Sequence, residues 1–177
     1  VHMDDTPVHA AFDWKHRVGS YLDDGFLIDF LMPVEFFQFV GAQYGLDAAT
    51  VPALLTPYES FLPQEAFSAH PPLIRDLSMG NKKKVGIVAA LLPKPDVLVL
   101  DEPFANLDPG SQIRLKDHLR TLNRETGTTL ILSSHDLAHV TDVCQRIAVL
   151  EDGRIVRDLQ TSEATLDELH RFFASEL

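Results

Sequence analysis

Apolar positions in this chain change their spacing near Leu92. Beyond it, short apolar runs alternate with stretches in which apolar residues recur every three or four positions, the signature of strands alternating with helices. Val97-Leu98-Val99-Leu100 is a continuous apolar run and predicts a strand buried on both faces of a parallel sheet. Leu115, Leu119 and Leu122 stripe one side of a helix predicted from Pro109 to about Thr126. Asp108 is its expected cap, Pro109 suits its first turn and Gly127 follows its end. Thr129-Leu130-Ile131-Leu132 predicts a second strand, and a helix is expected over 136–146. A third strand, Ile147-Ala148-Val149-Leu150, turns through Asp152-Gly153 into Ile155-Val156, using a residue pair that tight hairpins prefer. Leu166, Leu169, Phe172 and Phe173 place an amphipathic helix at the end. This alternation predicts an α/β fold with a doubly wound core.

The first 92 residues have another character. Val1-His2-Met3-Asp4-Asp5 reads as a strand end and acidic turn, and Val8 and Val18-Gly19-Ser20-Tyr21-Leu22 are strand candidates. Phe26, Phe30, Phe36, Phe37 and Phe39 then crowd one short region, in which Pro33 opens a helix that weakens at Gly41 and Gly45. Pro52, Pro57, Pro63, Pro71 and Pro72 limit the next stretch to short helices and turns. The segment 23–92 reads as a compact helical subdomain.

Charge and composition narrow the functional classes. The chain has 177 residues, 26 acidic and 15 basic, for a net charge of −11, which argues against nucleic acid or anionic lipid as a partner. The one cysteine, Cys144, cannot form an internal disulfide and suits a reducing compartment. No apolar stretch approaches the roughly 20 residues that span a bilayer, and no signal peptide is visible, so any membrane role must pass through a partner.

Four short segments carry the chemistry. Leu77-Ser78-Met79-Gly80-Asn81 precedes the apolar strand, which ends in Asp101-Glu102-Pro103. Asn106-Leu107-Asp108-Pro109 comes next, and Ser133-Ser134-His135-Asp136 lies after the second strand. Carboxylates at the carboxyl end of a parallel strand lie where such sheets bind ligands. A serine at a helix start, with free amides behind it, can hold an anion, although it is also an ordinary N-cap. His135 alone is as compatible with a structural role, and Asp108 with helix capping. Lys82, Lys83 and Lys84 either add positive potential or form a solvated basic face.

In order and spacing the four segments resemble the ATPase domain of ABC proteins. The resemblance implies a P-loop NTPase-like doubly wound core with an inserted helical subdomain. Residues 1–22 would be the end of the core's N-terminal β region, 23–92 the helical subdomain, 93–160 the α/β core and 161–177 a C-terminal helix. It implies that Asp101 helps hold Mg²⁺, that Glu102 is the general base for water attacking ATP, and that His135 bonds the γ-phosphate. Ser78, Met79, Gly80 and Asn81 would correspond to the signature that completes the ATP site of an opposing subunit. Met79 and Asn81 depart from its Leu-Ser-Gly-Gly-Gln pattern, Met79 replacing a glycine where backbone approaches phosphate. Asp108 would lie in the loop that crosses the dimer interface. Val18-Gly19-Ser20-Tyr21-Leu22-Asp23-Asp24 resembles the stretch whose Gln or Glu senses the metal, with Asp23 in that place and one methylene shorter.

One element of that resemblance is missing. The phosphate loop, G-x-x-x-x-G-K-[ST], occurs nowhere in the chain, which contains no Gly-Lys pair. The implied function is that of a nucleotide-binding subunit of an ABC transporter, using ATP and Mg²⁺. Its partners would be a transmembrane permease and a second ABC subunit, identical or paired, with no nucleic acid. Its place would be cytoplasmic, peripheral on the inner face of the membrane. The Phe-rich stretch would receive the permease or fill its own core. Two alternatives stay open: a soluble ABC-type ATPase serving translation or DNA maintenance, and a non-catalytic fragment.

Overall fold

The computed structural model of the chain describes residues 2–3, 6–9 and 12–174. The acidic turn expected at Asp4 and Asp5 lies outside them. Two short strands, β1 (His2–Met3) and β2 (Thr6–Pro7), pair antiparallel. Val8 comes after them in a turn, its carbonyl accepting the Trp14 indole N–H at 2.8 Å.

The centre of the fold is a parallel sheet of β3 (Val18–Tyr21), β4 (Val97–Leu100) and β5 (Thr129–Leu132), in the order β3-β4-β5. Val97 of the middle strand pairs with Val18 on one side and Thr129 on the other. Leu98 and Leu100 are fully buried, whereas Val97 and Val99 are only half-buried. The central strand is therefore buried on one face, not on both as its unbroken apolar run predicts. The outer side of β5 forms no ladder among the described residues, and its Ile131 is 54% exposed.

Between β3 and β4 the chain builds helices. Pro33 starts α1 (Pro33–Gln43), and the Glu35 carboxylate accepts the Met32 N–H at 2.8 Å, occupying one donor that a helix start leaves open. After α2 (Val51–Leu55) come three single 3₁₀ turns, Thr56–Tyr58, Gln64–Phe67 and Ile74–Asp76, as the prolines demand. The phenylalanine cluster divides. Phe36 and Phe37 enter the core, while Phe26, Phe30 and Phe39 stay exposed at 67%, 72% and 48%. Then α3 (Met79–Leu91) runs back to the sheet, with every residue from Val85 to Leu91 buried. A helix apolar all round belongs in the middle of a core.

Two glycines let α3 lie against β3. A Cβ on Gly19 would stand 2.2 Å from the Ala90 carbonyl oxygen, and one on Gly86 would stand 2.4 Å from the Tyr21 ring. Past the sheet's middle strand, α4 (Pro109–Thr126) buries Leu115, Leu119 and Leu122, and closes on Gly127 at a left-handed φ of 72°. The next helix, α5 (Leu137–Val143), is shorter than 136–146, because Cys144 turns extended and releases the chain into β6 (Arg146–Glu151). That strand pairs with β7 (Arg154–Gln160) through Asp152 and Gly153, both at positive φ, as a tight hairpin needs. Val140, Ile147, Val149 and Leu169 form a second, smaller core under α6 (Thr165–Ala174).

Because the Gly19 contact is with backbone, a side chain cannot simply swing away. Gly19→Ala is expected to destabilise the chain by about 1–3 kcal/mol, seen as a lower urea midpoint with an unchanged slope.

Candidate functional site at the carboxyl end of the sheet

The hydrogen-bond ladder continues one residue past the strands. Asp101 N–H donates to the Tyr21 carbonyl at 2.9 Å, and Ser133 N–H donates to the Leu100 carbonyl at 3.0 Å. The two acids after β4 and the serine-histidine segment after β5 are thereby set side by side. The Ser133 hydroxyl donates to the Asp101 carboxylate and accepts the Glu102 N–H at 3.0 Å. Glu102 has a left-handed φ of 44°, a conformation that costs energy for any residue with a Cβ. Its carboxylate meets the far segment, where Oε1 accepts the His135 N–H at 2.9 Å and lies 2.8 Å from His135 Nδ1. The His135 side chain is 81% exposed and that of Glu102 34%.

Three residues expected to act together, Asp101, Glu102 and His135, are thus in one cluster. Ser133, which binds both acids, was legible only as part of the Ser-Ser-His-Asp context. Its role depends on register, which no local signal carries.

Ser78 caps α3, its hydroxyl accepting the Asn81 N–H at 3.3 Å. Ser78 and Met79 are exposed, Met79 by 60%. The Asn81 amide donates to Glu65 at 2.9 Å, tying the start of α3 to a preceding 3₁₀ turn. Gly80 abuts the loop after β4: a Cβ there would stand 2.7 Å from the carbonyl oxygen of Asn106, itself at φ 63°. In the same loop Asp108 caps α4, accepting from Ser111 N–H at 2.9 Å and from the Ser111 hydroxyl at 2.5 Å. Those bonds, with Lys84 at 3.5 Å, hold the Asp108 carboxyl well below the usual carboxylate range.

Asp23 and its neighbour divide the work after β3. The Asp23 carboxylate accepts the Gly25 N–H at 2.6 Å and is exposed. Asp24 accepts the Tyr21 hydroxyl, and burial together with that carboxylate pushes the phenol up. Sequence reading singled out Asp23 and passed over Asp24.

The three lysines do not form one solvated face. Lys82 lies 3.9 Å from Asp29 and Lys84 3.5 Å from Asp108. Lys83 is 7% exposed, and its ammonium donates to the Glu102 carbonyl at 2.8 Å. Burial lowers its pKa, opposed by the charges of Asp24, Glu102 and Asp101. Among the described residues no three or more His, Cys, Asp or Glu side chains converge as a metal site.

Known proteins resemble this chain in sequence and in fold. Over 100 residues, 56% of this chain and 33% of the relative, it is 36% identical to the uncharacterized ABC transporter ATP-binding protein YhcH of Bacillus subtilis. It is 45% identical over 82 residues to the methionine import ATP-binding protein MetN of Burkholderia thailandensis, covering 46% of this chain and 24% of that protein. In sequence the chain is similar to ABC transporter ATP-binding proteins. The bacitracin transport ATP-binding protein BcrA of Enterococcus faecalis is another relative, 38% identical over 88 residues, 50% of this chain and 29% of its own. These matches span between about a quarter and a third of each relative's length. A family model described as "AAA domain, putative AbiEii toxin, Type IV TA system" matches residues 59–140. A dimeric ATP-binding cassette solved in a post-hydrolysis state with ADP and Pi superposes at a TM-score of 0.74, with 23% identity over 92% of this chain and 71% of its own. Another dimeric structure of that same protein, a bacterial ABC transporter cassette, gives 0.77, with 20% identity over 90% and 70%. The fold is thus the P-loop NTPase-like α/β fold of ABC cassettes.

The Asp108 cap should be visible in the acid stability of the chain. A carboxyl depressed on folding stabilises above its unfolded pKa, about 4, and loses that contribution as pH falls through the folded value. Asp108→Ala is expected to lower the urea midpoint at neutral pH. The gap from the parent should close on acidification.

Proposed function

We propose that this chain is the signature-to-switch portion of an ABC transporter's nucleotide-binding subunit, with Glu102 as general base. The observation that carries this reading is the Glu102 carboxylate 2.8 Å from His135 Nδ1, beside Asp101, at the carboxyl end of a parallel sheet. A carboxylate in that place accepts a proton from water attacking the γ-phosphate, and His135 bonds the phosphate oxygen. The names of the relatives, which include import and bacitracin-transport proteins, support the transporter assignment.

Asp101 suits Mg²⁺, an ion that takes one or two carboxylates and fills its shell with water and substrate phosphate. Asp101 is exposed and so open to such an ion. Bound there, the ion would draw charge from the phosphoryl group. Asp23 would sense it from the neighbouring strand end.

Ser78, Met79, Gly80 and Asn81 would present the positive end of α3 to ATP held by a second ABC subunit, identical or paired, with Asp108 in the contact between the two. Exposed Phe26, Phe30 and Phe39 would receive an apolar helix of a transmembrane permease. Among the described residues no helix is long and apolar enough to cross a membrane. The subunit would be held at the inner face of the membrane by its partner.

Three experiments test this reading. Without a phosphate loop the triphosphate lacks its main cradle, so residues 1–177 alone should show no micromolar Mg-ATP binding by calorimetry. In an ATPase where this chain is joined to a phosphate loop, Glu102→Gln should cut turnover by ~10²–10⁴-fold while ATP still drives dimerisation. In that background Ser78→Arg should abolish the ATP-dependent dimer seen by light scattering. Retained turnover in Glu102→Gln would end the general-base assignment, and an intact dimer in Ser78→Arg would leave Ser78 a helix cap.

A further inference from the structure

Glu102 is held at each of its polar backbone and side-chain groups. Ser133 Oγ takes its N–H at 3.0 Å, His135 takes its carboxylate at 2.8 Å, and its carbonyl accepts from Lys83 Nζ at 2.8 Å. The first two contacts come from the segment after β5, beside β4 in the sheet. The third comes from nineteen residues earlier in the chain, out of the middle of α3.

The Glu102 carbonyl also accepts the Ala105 N–H at 3.3 Å, so Lys83 is an expensive addition to a carbonyl already engaged. Its side chain is 7% exposed, on a helix whose next eight residues are almost all apolar and buried. A lysine is seldom buried unless its charge is compensated. Compensation is present, for Asp24, Asp101 and Glu102 all act on it. A cation in that place also does what a neutral side chain would not, since a charge-assisted bond to a carbonyl is stronger than a neutral one. The carbonyl it holds belongs to a residue at φ 44°, and such strained conformations persist only where surrounding groups over-determine them.

We propose that Lys83 is a positioning residue: its ammonium pins the Glu102 carbonyl, and so holds the left-handed turn that directs the Glu102 carboxylate to His135. The same helix face that carries Lys83 carries Gly80 against Asn106 and Gly86 against Tyr21. The start of α3, where Ser78 lies, is therefore joined to the general base through one rigid element. The role of Glu102 in hydrolysis rests on the function proposed above; the pinning itself does not.

The test is built on that difference. In the 177-residue chain, long-range ¹H–¹⁵N spectra report the His135 Nδ1 resonance with no nucleotide present. Glu102→Ala defines its position when the carboxylate is gone. Lys83→Met keeps the length and apolar stem of the side chain and removes the donor, and it should displace the resonance toward that position. Lys83→Arg, which can still donate, should leave it where the parent has it. An unmoved signal in folded Lys83→Met overturns the proposal. Should Lys83→Met fail to fold, Lys83→Arg decides alone, a displaced signal overturning the proposal and an unmoved one supporting it.

The kinetic arm uses the chain joined to a phosphate loop. Lys83→Met should lower kcat by about 10²-fold with KM for ATP unchanged, and should cost nothing further once Glu102 is already Gln. A loss of equal size in both backgrounds would mean that Lys83 acts elsewhere, overturning the link to Glu102. If the parent itself hydrolyses no ATP, the function proposed above fails while the spectroscopic result stands.

Discussion

The register of β4 between its two parallel neighbours is the constraint on which the site depends. Leu98 and Leu100 lie at 0% and 1% exposure, and full burial of two leucines is worth about 3–6 kcal/mol. A slip of one residue would turn both out of the core, a loss comparable with much of a domain's net stability. Holding that register sets Asp101 beside Tyr21 and Ser133 beside Leu100. Every contact among Asp101, Glu102, Ser133 and His135 depends on it.

The second organising element is α3. It starts at the exposed Ser78 and ends fully buried at Leu91, so one helix reaches from the protein surface to the base of the sheet. Along it Gly80 meets Asn106, Lys83 meets Glu102, Gly86 meets Tyr21 and Ala90 meets Gly19. Small residues bring the helix close, and the one long residue on that face crosses to the acids. Close packing of this kind transmits displacement rather than absorbing it. A movement at the helix start would therefore be felt at Glu102 and at the strand carrying Tyr21.

Exposed groups are disposed differently from buried ones. Phe26, Phe30 and Phe39 stand in solvent, a few positions from Phe36 and Phe37 in the core. Exposed aromatic rings grouped on one segment mark a surface suited to an apolar partner. At the far end of the chain, Arg146 and Asp158 pair across the β6–β7 hairpin at 2.5 Å, and Lys116 and Arg120 of α4 both hold Asp142 of α5. These surface pairs tie neighbouring elements together but contribute little stability each.

Local chemistry alone was enough for much of this. Pro109 after Asp108 and Gly127 at the far end delimit α4, Asp152-Gly153 makes the hairpin, and the apolar run marks β4, because caps, turns and apolar periodicity act over a few residues. The ordered motifs likewise pointed to Asp101, Glu102 and His135 as one site. Other features arose only on folding. Whether a lysine in Lys82-Lys83-Lys84 is solvated or buried depends on which side of α3 meets the sheet. That Asp24 takes the Tyr21 hydroxyl while Asp23 closes a turn with Gly25 depends on how the chain leaves β3. That the two sides of β4 differ in burial depends on what packs over each, which an unbroken apolar run does not record. Sequence by itself determined the elements and which polar residues follow the strands; their partners were decided by contacts between segments far apart in the chain, whose geometry exists only once the sheet has its register.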